Sequence, residues 1–422
     1  MNLWEKLKKW HRDNNSPQIS TPTQQEFEFI TVEGKDIHDL LEGEFLPTPY
    51  GECFVTEGIY NSDYLHGDIV LRDIFSYSPS LFAYMGKDAN LSELNLEETA
   101  FLDIETTGLA VGAGTYVILV GIGYFKGGEF HIKQYFMRDY GEEMAFLWTL
   151  NDLLSCFSAV VTFNGKCFDI PILYNRYAYS RLRFNLEDPL HLDLLFSARR
   201  LWRERLESCG LSSLEQHILR VKRTEEDVPS YMIPSLYFQY IRTRDAREMK
   251  KVFYHNQQDI LSLLALTVKL CDIYSDPFST LEKGEDFYSL GKVYENLGLS
   301  EESVRCYEYA LSASLTPATR NKTMCRLSFL YKRLRENKQA VMIWESLISN
   351  NQTYSLYPYI ELAKYYEHQL KDYRKAIDTV KEALLMLNQR RTLFGRLYYE
   401  RDLADLRHRL ARLNRKEERR RG

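Results

Sequence analysis

Asp103 and Glu105 stand two residues apart in the apolar run Phe101-Leu102-Asp103-Ile104-Glu105. Such a run reads as a strand, on which positions i and i+2 face the same way, about 7 Å apart. A strand this apolar is normally buried, and two ionised carboxylates on one buried face are costly unless something compensates them. A divalent cation does so directly, since Mg²⁺ and Mn²⁺ prefer hard carboxylate oxygens. An isolated Asp-x-Glu more often marks the solvated end of a strand, but two further acidic elements reverse that preference. The second runs Thr162-Phe163-Asn164-Gly165-Lys166-Cys167-Phe168-Asp169. There a strand ends, Asn164-Gly165 turns the chain, and Asp169 opens a helix; alone, an Asp at such a junction is a common N-cap. The third is Tyr254-His255-Asn256-Gln257-Gln258-Asp259. On a helix His255 and Asp259 share a face as i and i+4, which alone is an ordinary surface pair.

The elements that must position these groups follow from the hydrophobic pattern. Residues 100–105 form a strand, and a Gly-rich loop follows over 108–114. Residues 116–125 and 130–136 are two more strands joined by the hairpin turn Lys126-Gly127-Gly128-Glu129. Residues 142–156 have helical periodicity, 159–163 is a short buried strand, and 169–179 is a helix. Mostly helical sequence continues to about Asp272. Meandering strands, then helix, strand and helix, suit a mixed sheet flanked by helices. Upstream, 1–26 is a basic amphipathic segment with Trp4, Leu7 and Trp10, followed by a polar linker. Residues 27–95 are a small α/β lead-in, and the sheet domain spans 96–275.

Beyond Asp276-Pro277 the strands vanish. Helical pairs recur over 280–388 at a period of roughly 36 residues, close to that of tetratricopeptide repeats. Leu290-Gly291 and Tyr294 precede Ser303, Tyr307 and Ala310 in the first unit. Tyr331 precedes Ala340, Trp344 and Leu347 in the second, and Ala363 and Tyr366 precede Ala376, Val380 and Ala383 in the third. Small residues sit where two helices cross and aromatics fill the groove beside them. Three such units are near the minimum for a stable stack. The Arg-rich end, 389–422, carries Leu403, Leu406, Leu410 and Leu413 at helical spacing, and reads as a capping helix that frays into a basic tail.

Composition narrows the function classes. A chain of 422 residues with 45% hydrophobic residues has room for two or three domains with real cores. The formal charge of -5 excludes a polycation that binds nucleic acid over its whole surface, so any such contact needs local basic patches. The seven cysteines are scattered singly without Cys-x-x-Cys spacing, which argues against a zinc site or a disulfide framework. That usage fits a reducing cytosol. The first segment is not a secretory signal and no apolar run spans a bilayer, so a soluble, cytoplasmic protein with no membrane partner is expected.

Taken together, the three acidic elements in this order resemble the DEDD superfamily of 3′–5′ exonucleases, whose fold is ribonuclease H-like. The succession of such a domain and C-terminal tetratricopeptide-type repeats resembles the YprB-like branch, over roughly residues 30 to 385. The resemblance implies that Asp103, Glu105, Asp169 and Asp259 hold two Mg²⁺ or Mn²⁺ ions about 3.5–4 Å apart. One would activate a water and the other would stabilise the leaving 3′ oxygen. Without metal, the clustered acids would repel one another and titrate higher. The general base in one branch is a Tyr four residues before the last acid, and in another a His five before it. Here the types are swapped: His255 is four before and Tyr254 five before. His255 is the first choice, because it shares the helical face of Asp259 and an unperturbed imidazole changes charge near neutral pH, with Tyr254 the alternative. Asn164 either bonds substrate and orients Asp169 or is a turn residue. Asp193, in His191-Leu192-Asp193-Leu194-Leu195, is an auxiliary acid or a helix cap.

Basic residues crowd between the second and third acidic elements, a stretch that borders the cleft in a ribonuclease H-like fold. Arg199, Arg200, Arg203, Lys222 and Arg223 are the candidates for phosphate contacts, which give sequence-independent, salt-sensitive affinity. Trp202 and Tyr231 are candidates for base stacking, packing being their ordinary role. The expected protein is therefore a metal-dependent 3′–5′ exonuclease on single-stranded DNA or RNA ends, with repeats that dock a protein partner. The alternatives are a structure-selective endonuclease of the same fold, or a non-catalytic scaffold built on the repeats.

Overall fold

The computed structural model describes residues 34–108, 112, 114–186, 188–349, 355–394 and 399–421. The amphipathic N-terminal segment and the linker lie outside them. Seven strands form one sheet in the order β1-β2-β7-β6-β5-β8-β9. They are β1 (Glu44–Thr48), β2 (Gly51–Tyr60), β5 (Thr99–Thr106), β6 (Val117–Lys126), β7 (Glu129–Phe136), β8 (Ala159–Thr162) and β9 (Leu190–Asp193). A separate small hairpin pairs β3 (Leu65–His66) with β4 (Ile69–Val70). β5 to β7 and β2 run antiparallel to their neighbours, whereas β8 and β9 add to β5 in parallel. The sheet is therefore mixed, as expected from the order of elements.

Local sequence accounts for the centre of this sheet. β6 is an unbroken apolar run buried from Val117 to Phe125, the pattern of a strand covered on both faces. Gly127 and Gly128 both have positive φ, 61° and 85°, as a two-residue type I′ hairpin requires. Two features differ from the sequence pattern. The lead-in is continuous with the sheet, because β2 pairs with β7 from Phe54↔Phe136 to Tyr60↔Phe130. A further strand, β9, lies within the stretch expected to be helical.

Helices cover the sheet: α1 (Ser80–Gly86), α2 (Glu143–Leu154), α3 (Asp169–Tyr179), α4 (Leu194–Trp202), α5 (Ile233–Thr243) and α6 (Arg247–Ser275). α6, 29 residues long, carries the third acidic element and leads into the helical half. That half comprises α7 (Gly284–Leu297), α8 (Ser300–Ser312), α9 (Pro317–Arg333), α10 (Asn337–Ser349), α11 (Tyr357–His368), α12 (Tyr373–Phe394) and α13 (Glu400–Arg421). One hydrophobic core runs from Phe101, Phe130 and Val161 of the sheet, through α6, to Leu290, Tyr307 and Trp344. A bidentate ion pair from Arg205 to Asp286, at 2.8 and 2.9 Å, ties the end of α4 to α7. Among the described residues no helix is long and apolar enough to cross a membrane.

The small residues of the helical units sit at crossings. Ala310, Ala340, Ala363, Ala376 and Ala383 are fully buried. Ser303 donates a hydrogen bond to the Gly291 carbonyl at 2.8 Å. The basic end does not fray after α12: α13 continues as helix to Arg421 and buries Leu403, Leu406 and Leu413. Arg412 and Lys416 donate to the buried Glu367 at 2.7 and 2.6 Å, so these bases serve packing between helices.

A Cβ on Gly291 would stand 2.5 Å from the Tyr307 ring. Gly291→Ala is therefore expected to destabilise the helical half by about 1–3 kcal/mol, the cost of overpacking. Urea unfolding followed by circular dichroism would show the lowered midpoint; an unchanged midpoint would mean that α7 and α8 separate at no cost.

Candidate active site

β5 presents Asp103 and Glu105 to the face that α6 covers. Asp103 is paired with Gly121 of β6, and Gly121 in turn with Gln134 of β7. The absent side chain at Gly121 is what lets α6 approach: a Cβ there would lie 2.2 Å from the Asn256 Oδ1. Gly123 does the same for Ile260, 2.5 Å from its would-be Cβ. In the space so made, the Asn256 Nδ2 donates to the Asp103 Oδ2 at 2.8 Å, while its Oδ1 accepts from the Gln134 Nε2 at 2.9 Å. Gln134 Oε1 accepts from Thr56 at 3.3 Å. A buried polar rung thus crosses the sheet and ends on Asp103.

Asp169 reaches the same place from the other side. Asn164 adopts φ of 70°, a left-handed turn conformation that Asn tolerates. Asp193 holds that turn: its Oδ1 accepts from the Asn164 N–H at 2.9 Å and its Oδ2 from the Lys166 N–H at 3.1 Å. Its Oδ1 also caps α4 through the Leu195 N–H at 3.1 Å. Asp193 therefore caps α4 and braces the turn. Asp169 is the first residue of α3 rather than its cap, and main-chain N–H groups, its own and that of Ile104 between Asp103 and Glu105, draw its carboxyl down against the effect of burial.

The four acids feel one another. Burial raises Asp103 well above the ordinary carboxylate range, and repulsion from Asp259 and Asp169 adds to it. Burial likewise raises Glu105, followed by repulsion from Asp103, Asp259 and Asp169. Asp169 is pushed up to about 7, chiefly by burial. Ligand atoms of Glu105, His255 and Asp259 all lie within 4.8 Å of one another. Hard oxygens whose charges are mutually unfavourable suit a divalent cation, so the donor set fits Mg²⁺ or Mn²⁺.

Part of this repulsion is met by Arg223, which sequence reasoning assigned to phosphate. Its side chain is only 12% exposed. It grips Glu215 with two hydrogen bonds of 2.7 and 2.6 Å and also donates to Asp259. Glu215 is held in turn by Ser262 at 2.5 Å, and Ser262 by His66 of the small hairpin at 2.8 Å. Arg200 is likewise drawn inward, onto the Met85 carbonyl and the Ser197 hydroxyl. Neither guanidinium is directed at solvent, because each has an internal acceptor that sequence adjacency does not reveal.

His255 lies among the acids, with Nε2 3.9 Å from Glu105 and 3.6 Å from Asp259. Its Nδ1 is 2.7 Å from Asp227 and 2.9 Å from the Arg223 Nη1. Ser230 Oγ is 3.0 Å from Nε2. Tyr254 instead lines a separate cavity of about 330 Å³ with Thr56, Gly58 and Gln257. Arg199 and Arg203 are exposed and, with Asn164, line a cavity of about 820 Å³ beside the turn. Lys222 is exposed on the surface. Trp202 is buried in the core and has no face for a base, whereas Tyr231 is 77% exposed.

Asn256, Asp227, Glu215 and Gly121 had no role in the sequence reading. Gly-x-Gly within β6 was the available signal, since glycine inside a strand marks close approach of another element. Glu215 and Asp227 carry no comparable signature.

Gly121→Ala and Asn256→Ala should each destabilise the fold by about 1–3 kcal/mol, by overpacking and by loss of buried hydrogen bonds. Because the second removes the atoms the first collides with, the double variant should be less destabilised than the sum by at least about 0.5 kcal/mol. Strict additivity in urea unfolding would contradict this packing.

Comparisons with known proteins bear on the same region. A model of the RNase_H superfamily matches residues 100–271, from β5 through α6. A protein of Bacillus subtilis (strain 168) named uncharacterized protein YprB is 31% identical over 342 residues, 79% of this chain and 80% of that protein.

Proposed function

This chain belongs to the YprB family and carries a domain of the RNase_H superfamily, and from that premise we propose that it is a metal-dependent nuclease, specifically a 3′–5′ exonuclease on single-stranded nucleic acid. The observation that supports this reading is the gathering of ligand atoms of Glu105, His255 and Asp259 within 4.8 Å of one another, with Asp103 and Asp169 near enough to repel the same group. A purely structural site would have little reason to keep that repulsion. Asp103, Glu105, Asp169 and Asp259 would hold two Mg²⁺ or Mn²⁺ ions, which in such sites lower the pKa of water and stabilise charge on the leaving oxygen.

The chain's own residues divide the remaining work. In the tautomer with Nδ1 protonated, His255 donates to Asp227, the Arg223 Nη1 being a donor that cannot bond the same N–H, and the Nε2 lone pair is left near Ser230, Glu105 and Asp259. Nε2 then takes the proton of the attacking water as general base, and Asp227 stabilises the resulting imidazolium. Tyr254, in its separate cavity, is the less suitable base. Asn164 shapes the cavity wall, and Arg199 and Arg203 attract phosphates without reading sequence.

A 5′-labelled single strand incubated with Mn²⁺ should shorten stepwise from its 3′ end. Asp103→Ala should abolish that release, and His255→Ala should slow it by about 10²–10⁴-fold. A discrete internal product would make the protein an endonuclease. Equal release by wild type and Asp103→Ala would end the enzymatic reading.

A further inference from the structure

The loop that leaves α4 separates two cavities. The first is the 820 Å³ cavity where Asn164 of the turn meets Arg199 and Arg203. The second, about 1240 Å³, runs along α7 and α9 and is lined by Tyr288, Lys292, Lys322, Arg326, Phe329 and Tyr357. Arg203 belongs to the first and its chain neighbour Glu204 to the second, so the two cavities adjoin at this loop. We propose that the groove of the helical half continues the substrate path, so that a single strand with its end at the acid cluster passes Arg199 and Arg203 and lies along Lys292, Lys322 and Arg326. This rests on the nuclease reading and extends it to the other half of the chain.

The groove already holds an anion. The Glu204 carboxylate sits between two lysines from different helices, 3.3 Å from the Lys292 Nζ and 3.2 Å from the Lys322 Nζ. A backbone phosphate offers the same lysines oxygens of like charge, and Lys322, 55% exposed, is open enough to exchange partners, with Lys292 30% exposed beside it. Glu204 then becomes a competitor of the strand, not a support for it. Arg326 reaches into the same groove and is paired with Glu295 at 2.8 Å. Phe329, 48% exposed, gives a base a surface to stack on. Cations interleaved with aromatics are what a single strand needs for sequence-tolerant binding. A peptide partner would find the same cations, but only a strand already held at Arg199 and Arg203 is delivered to this groove by the adjacency of Arg203 and Glu204. That adjacency decides for the strand.

The test uses the full chain in the Asp103→Ala background, so that nothing is cleaved, with labelled oligothymidylates and oligouridylates of four and twenty nucleotides and Mn²⁺ present. Anisotropy should show the 20-mer binding at least tenfold more tightly than the 4-mer. The pair Lys292→Gln and Lys322→Gln should weaken 20-mer binding about tenfold and lower its log–log salt slope by about 1.4, for two lost phosphate contacts. Glu204→Gln should act in the opposite direction and tighten 20-mer binding severalfold. The opposite signs matter, since a merely structural bridge between the two halves would make all three substitutions harmful together. Equal affinity for the two lengths, effects of one sign, or an acidic peptide that occupies the groove without displacing the 20-mer would each overturn the proposal. Failure of the underlying nuclease reading looks different: the wild-type chain would then leave even the 4-mer intact in Mn²⁺.

Discussion

Burying carboxylates of like charge side by side is the constraint around which this molecule is arranged. Desolvation and mutual repulsion both oppose ionisation of Asp103 and Glu105, and elements far apart in sequence are bent to hold the cluster regardless. Gly121 and Gly123 remove two side chains from β6 so that α6 can lie close. The polar rung from Thr56 through Gln134 and Asn256 fixes Asp103. Asp193 clamps the turn that delivers Asp169. Such a site lowers the stability of the fold, as buried charge does. The core that runs unbroken from the sheet into the helical half supplies the apolar burial that offsets it.

Arg223 gives the cluster a resident positive charge. Its grip on Glu215, backed by Ser262 and His66, anchors it from the side of the small hairpin. Its contact with Asp259 places one delocalised charge where several negative ones meet. A single guanidinium cannot balance four carboxylates, so the arrangement still favours further cations. His255 is tied into the same network through Asp227, and its orientation and the electrostatics of the acids are thus set together.

The sequence exposes those parts of this arrangement that repeat locally. The limits of β5 to β8 and of α3 follow from unbroken apolar runs, a Gly-Gly hairpin and helical spacing, and they match the structure to within a residue or two. β9 escapes notice because its four residues open directly into α4, leaving no alternation to detect. The pairing of β2 with β7 joins residues 70 to 82 positions apart, and nothing local announces it. The acidic elements stand out because a carboxylate inside an apolar strand or beside a Gly turn is locally anomalous. The groups that support them are not anomalous: Glu215 and Asp227 look like any surface acid. An arginine likewise reads the same whether it faces phosphate or, like Arg200, a carbonyl contributed by a distant helix. The basic C-terminal helix shows the same blindness, since its partner Glu367 is remote.

The central claim is that the acids of β5, α3 and α6 form one shared cation site. Isothermal titration of the full chain with Mn²⁺, in the absence of nucleic acid, tests it without relying on catalysis. Saturable binding to the wild-type chain that is lost in a folded Asp103→Asn variant and weakened in Asp169→Asn is the predicted result. Binding that is absent from the wild type, or that survives both substitutions unchanged, would contradict it.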